Sequence, residues 1–112
     1  MSEFKAEVVK LQNSLYSNLN VLQQTHSRLM ERDRDRRRCD LTLHELSTLD
    51  ASTRVYKALG KAFVHVPNDQ IVGELITTSK KCTEEIKTLK DMQQRLSHET
   101  SKLEKELKEM MK

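Results

Sequence analysis

The sequence predicts a mainly α protein in which two long helices pair as an antiparallel coiled coil, with one β-hairpin between them. Three observations predict it. Only two Gly and one Pro punctuate 112 residues rich in Leu, Lys, Glu and Arg, a composition typical of long helices. Apolar residues recur at alternating steps of three and four in both halves. Between those halves lies a short segment whose β-branched and aromatic residues flank a single Gly.

The first helix is expected over about residues 3–48. Its stripe runs from Phe4 through Val8, Leu11, Leu15, Leu22 and Leu29 to Cys39, Leu43 and Leu46, with Asn18, Thr25, Arg32 and Arg36 as polar interruptions. The second helix is expected over about residues 68–111, and its stripe is cleaner: each seventh residue from Leu75 to Met110 is Leu, Cys or Met. Such heptad stripes mark a coiled-coil seam. Each is about 60 Å long at 1.5 Å per residue, so the two match in length. A register that sets Leu46 against Val72 also sets Leu43 against Leu75, Leu29 against Leu89 and Leu11 against Leu107. It matches Thr25 with Gln93 and Asn18 with Thr100, pairings that would penalise slipped alternatives by burying a polar group against Leu. Other registers also satisfy the spacing.

The segment TRVYKALGKAFVHV, residues 53–66, predicts the hairpin. Gly60 followed by Lys61 suits a two-residue type II′ turn, which needs positive φ at its first central residue. Val55, Lys57, Leu59, Ala62, Val64 and Val66 then share one face, and Tyr56, Ala58, Phe63 and His65 the other. A loop with a short helix is the competing reading, because Ala58, Leu59, Lys61 and Ala62 are good helix formers. An isolated hairpin is marginal in water and leaves two unpaired edges. With no other strand candidate in the chain, the expectation is that hairpins of several subunits complete a sheet or barrel, with Val55, Tyr56, Leu59, Gly60, Phe63, Val64 and Val66 as assembly residues. The whole is read as one domain over residues 1–112.

Composition narrows the function. Twenty basic side chains stand against 17 acidic ones, a net charge of +3, so the surface is mixed and no nucleic-acid partner is expected. The run RLMERDRDRRRCD, residues 28–40, tests that view. Six arginines from Arg28 to Arg38 are interleaved with Glu31, Asp33 and Asp35, and helical spacing places Asp33 beside Arg36 and Arg37. Arg32 and Arg36 fall on the seam, where their heads are expected to reach water, Glu84, Glu85 or Asp91. An arginine-rich nucleic-acid-binding coil, or a generic coiled-coil scaffold, is the alternative class. The scaffold leaves the apolar hairpin without a reason.

MSEFKAEVVK lacks the apolar region of a secretory signal, and no stretch approaches the roughly 18 apolar residues of a membrane span. The expectation is a cytoplasmic chain with reduced thiols and no membrane partner. Cys39 and Cys82 lack a CxxC partner or a histidine at ligand spacing, so buried apolar roles are expected and no metal. His26, His44, His65 and His98 are scattered, and no phosphate-binding Gly-rich loop is present. No catalytic residue, cofactor or enzymatic activity is expected.

The central sequence LTLHELSTLDASTRVYKALGKAFVHVPNDQIVGEL, residues 41–75, resembles the β-type subunits of the prefoldin family. Leu41, Thr42, Glu45 and Leu46, then Val55, Tyr56, Gly60, Phe63 and Val64, then Ile71 and Leu75 carry the resemblance. The flanking coils are similar in length and heptad character. Gly73 early in the second helix and the dense arginine run depart from the family pattern. The resemblance implies an ATP-independent co-chaperone, a heterohexamer of two α-type and four β-type subunits. It implies unfolded actin and tubulin as clients and the group II chaperonin as recipient. It also implies client contact at the distal coil tip, where an antiparallel pair brings its ends together. Phe4, Val8, Leu11, Leu107, Met110 and Met111 are the candidates there, flexible Met side chains being suited to irregular apolar partners. The bland alternative is that Leu11, Leu107 and Met110 finish the seam and Phe4 lies in a loose terminus.

Overall fold

The computed structural model describes residues 2–112. Helix α1 spans Ser2–Ser47, strands β1 and β2 span Val55–Leu59 and Ala62–Val66, and helix α2 spans Asn68–Met110. The mainly helical architecture with one hairpin between two long helices is the fold class the sequence predicts. Contacts divide the chain into two compact units, one of Met1–Met30 with Ile86–Lys112 and the other of Glu31–Glu85.

α1 ends without glycine. Its last turn is closed by hydroxyls at the helix end: Ser47 Oγ donates to the His44 carbonyl at 2.6 Å and Oγ1 of the following Thr48 to that of Glu45 at 2.7 Å. These bonds occupy carbonyls that a helix end otherwise leaves open. α2 starts directly after Pro67, whose carbonyl accepts from the Gln70 and Ile71 N–H groups at 3.1 and 3.2 Å. Proline is tolerated there because the first helical turn has no intrahelical use for its missing N–H.

Within the Glu31–Glu85 unit, β1 and β2 pair antiparallel from Val55 opposite Val66 to Leu59 opposite Ala62. Gly60 has φ +59° and no other described residue has positive φ, which agrees with the type II′ turn. The competing short helix is thereby replaced by strand. Tyr56 and His65, directly opposed, meet edge to face with ring centroids 5.6 Å apart, a favourable cross-strand geometry. On the other face Val66 is buried and Val55 half-buried, and Lys57 Nζ lies 3.3 Å from Glu74 Oε2, tying β1 to α2. The helices of this unit run antiparallel: Ser79 Oγ donates to Asp40 Oδ1 at 2.8 Å and Arg32 Nε stands 3.8 Å from Glu85.

In the other unit, Thr25 Oγ1 lies 3.7 Å from Met92 Sδ, and Gln93 Nε2 lies 3.5 Å from His26 Nδ1. The helix-to-helix pairs Asp40–Ser79, Arg32–Glu85, Thr25–Met92 and His26–Gln93 each fall within one residue of the register that sets Leu46 against Val72. The exposure pattern agrees, since the seam positions from Val8 to Leu46 and from Val72 to Met110 are each buried or half-buried. Burial is deepest at Cys82, Leu89, Ile86 and Cys39, yet no described side chain is buried completely.

The polar seam residues differ in how their hydrogen bonds are satisfied. The Thr25 hydroxyl donates to the Val21 carbonyl one turn back at 2.7 Å, the usual way a helical Thr satisfies itself, and the Gln93 amide stands 3.5 Å from His26. Thr100 does not bond Asn18. It is buried, 6% exposed, and its Oγ1 has no hydrogen-bond partner. An unpaired buried hydroxyl costs about 1–3 kcal/mol, so the nearly isosteric Thr100→Val is expected to raise stability by about 1 kcal/mol. Thr25→Val, which removes a satisfied hydroxyl, is expected to be close to neutral. Urea melts of the two variants check the contrast, and equal effects would contradict it.

Candidate functional site

Two surfaces carry the residues singled out from the sequence. The first is the hairpin. Tyr56, Leu59, Phe63 and Val64 are 52%, 56%, 76% and 42% exposed, and the sheet contains only the two strands among the described residues. Both outer edges therefore present unpaired backbone donors and acceptors. Val66 and Val55 instead turn toward the chain's own helices: Val55 and Tyr56 line a cleft of about 360 Å³ with Thr42, Leu46, Ile71 and Leu75. Gly60 holds the turn, and a Cβ built on it would meet no atom within 4 Å. Glycine is required there by φ alone and not by crowding.

The second surface lies in the unit formed by the outer segments of α1 and α2. Val8, Leu11, Leu107 and Met110 are half-buried on their seams, while Phe4 and Met111 stand clear, 45% and 64% exposed. The stripe read from Phe4 thus begins, as packing, only at Val8. Sequence reasoning passed over a further row on α1: Val9, Tyr16 and Leu19 are 51%, 70% and 46% exposed. Their spacing of seven and three residues puts them on one flank of the helix, and that spacing was the available signal.

Three of the six arginines of the run, Arg32, Arg36 and Arg37, are paired within their own helix. Asp33 pairs with Arg36 at 2.9 Å and with Arg37 at 3.0 Å. Arg32 Nη2 reaches Glu31 and Asp35, each at 3.1 Å. Desolvation works against the Arg32 charge, but Asp35, Glu31 and Glu85 together outweigh it and hold the guanidinium above its ordinary pKa. The price of a seam arginine appears at Arg36, whose buried Nε has no partner.

Cys39 and Cys82 are both buried as free thiols. Burial, with Cys82, Asp40 and Asp35 nearby, pushes the Cys39 thiol up against a smaller opposing pull from Arg38, so its nucleophilic thiolate is disfavoured. Among the described residues no group of three or more His, Cys, Asp or Glu is placed to hold a metal ion. No described helix is long and apolar enough to cross a membrane.

Comparison with known proteins places this geometry. The description of the prefoldin subunit family matches residues 3–112. The chain is 30% identical over 99 residues to a probable prefoldin subunit 1 of Dictyostelium discoideum, with 88% of this chain and 84% of the relative covered. It is 27% identical over 107 residues to prefoldin subunit 1 of Arabidopsis thaliana, with 96% and 84% covered. Among solved structures, the prefoldin beta subunit from Thermococcus strain KS-1 superposes with a TM-score of 0.81 at 19% identity, over 92% of this chain and 90% of that one. The beta2 subunit of the same strain gives 0.70 at 19% identity, over 81% and 97%. Prefoldin subunits form complexes with one another, and theirs is a chaperone-cofactor family and not an enzyme family. With hairpin, paired seams and family match over nearly its whole length, the chain belongs to the prefoldin subunit family.

Proposed function

We propose that the chain is a β-type subunit of a cytoplasmic, ATP-independent heterohexamer, beside two α-type and three further β-type subunits. This complex captures non-native polypeptides such as actin and tubulin and passes them to the group II chaperonin. The observation that carries the reading is the hairpin: four large apolar side chains stand in water on a sheet of two strands. That surface has a use when neighbouring hairpins add strands and cover it. Val55, Tyr56, Leu59, Gly60, Phe63, Val64 and Val66 are assigned to assembly.

Client contact is assigned to Phe4, Val8, Leu11, Leu107, Met110 and Met111, joined by the flank of Val9, Tyr16 and Leu19. A holdase needs apolar surface tolerant of many sequences, and Phe4 and Met111 offer it without unpacking the seam. Helix ends also open at small cost, lending Leu11 and Leu107 to the same surface.

Native mass spectrometry of the tagged chain from its own cells tests the assembly. Six subunits, five of them other small coiled-coil proteins, is the expected result; a homodimer or monomer carrying nucleic acid would refute it. For capture, the double variant Phe4→Ser/Met111→Ser is expected to assemble normally but suppress light scattering by diluted denatured actin at least severalfold less well. Unchanged suppression would move the client site elsewhere.

A further inference from the structure

The ion pairs of the arginine run leave one part of it unexplained. Arg32, Arg36 and Arg37 are held by Glu31, Asp33 and Asp35. Arg34 and Arg38 are exposed, and among the described residues neither has a carboxylate within 4 Å. They are four residues apart, so they are neighbours on the helix surface. Arg37 lies three residues beyond Arg34, and its side chain is 76% exposed although one nitrogen meets Asp33. Leu41 follows Arg38 by three residues and Arg37 by four, which sets it on the same face, and it is 60% exposed. The face is distinct from the seam, where Arg32, Arg36, Cys39 and Leu43 are buried or half-buried. Two turns of α1 thus present three exposed arginines with an exposed leucine at their C-terminal end, on the face opposite the seam.

We infer that Arg34, Arg37, Arg38 and Leu41 form a docking surface for an acidic polypeptide segment that carries an apolar side chain among its carboxylates. Guanidiniums present a planar fork that matches carboxylates two bonds at a time. The leucine that follows them on the same face adds an apolar contact for which a phosphate backbone has no counterpart. A uniformly charged nucleic acid would also need a longer basic track. Here the track is cut short, because Glu31, Asp33 and Asp35 lie within the same run. The mixture of an unpaired basic pair and one exposed apolar residue fits a short acidic, amphipathic segment of a protein. This surface goes beyond the tip assigned to clients and is tested separately from it.

The test uses the chain in the complex purified from its own cells, with two fluorescent probes: a short synthetic Glu/Leu peptide and a single-stranded oligonucleotide of equal charge. Anisotropy titrations are run at low and high salt. The peptide is expected to bind in a salt-sensitive way and to lose about tenfold in affinity with R34E/R38E, each lost exposed pair and its replacement by repulsion acting in the same direction. L41A is expected to weaken the peptide severalfold and leave the oligonucleotide unaffected. R34K/R38K, which keeps the charge and removes the fork, is expected to fall between. Peptide binding that ignores R34E/R38E overturns the proposal. Oligonucleotide binding that is the tighter of the two, falls with R34E/R38E and ignores L41A overturns it in favour of nucleic acid. If R34E/R38E prevents assembly, L41A alone decides, and undiminished peptide binding by that variant counts against the surface.

Discussion

Gly60→Val is expected to abolish assembly while leaving the helices formed. The reason lies in one angle: Gly60 has φ +59°, and a β-branched L-residue held there costs about 1–3 kcal/mol. No neighbour adds to that figure, since a Cβ at this position meets nothing within 4 Å. Gly60→Ala is therefore expected to show a smaller loss of the same kind, through conformation alone. The cost falls on a hairpin of two five-residue strands, an element with little stability to spare on its own. A deficit of about 2 kcal/mol lowers the population of the folded hairpin roughly thirtyfold. Native mass spectrometry reads the loss of higher complexes, and circular dichroism reads the retained helix. A Gly60→Val chain that assembles like the parent would remove the turn from the account of assembly.

Leu89→Ala is the substitution expected to weaken the helix pairing most. Leu89 is 7% exposed, and emptying such a site costs about 2–5 kcal/mol. Its neighbours come from one facing helix and are free to shift inward, which places the expected value near the lower end, about 2–3 kcal/mol. The matching fall in thermal midpoint is roughly 10 °C. Leu41→Ala is the control: the same atoms are removed from a side chain 60% exposed, and a surface change of this kind stays within about 0.5 kcal/mol. Thermal melts of the two variants separate burial from residue type. Equal shifts would mean that the seam is not where the stability resides.

Periodicity made much of this legible. A stripe stepping by three and four marks one face of each helix for burial, so every seam position from Val8 onward could be named before any contact was known, although several registers satisfied the spacing. The hairpin was legible because Gly60 and its β-branched flanks break that period and satisfy another. Finer features were hidden for physical reasons. Spacing sets which turns face each other but not which of two adjacent side chains reaches across, so Thr25 meets Met92 and His26 meets Gln93. A threonine's own helix offers its hydroxyl an acceptor nearer than any partner, a competition invisible in a list of polar layers. Phe4 satisfies the period but has no complete turn before it to pack against. At the arginine run, charge counting identified the partners of Asp33, but the unpaired state of Arg34 and Arg38 emerged only once the other arginines had claimed the acids.

No described side chain is wholly enclosed, and that has a consequence for how the fold comes apart. A globular interior links distant residues, so that losing one region loses all. Along a seam, each layer is held chiefly by the layers next to it, and the free energy accumulates in sequence, as in a chain of coupled repeats. Unfolding in such a system advances as a moving boundary and not as a single event, and amide protection grades along α1 and α2 instead of taking one common value. The subunit thereby yields locally under load while its remaining layers stay in register.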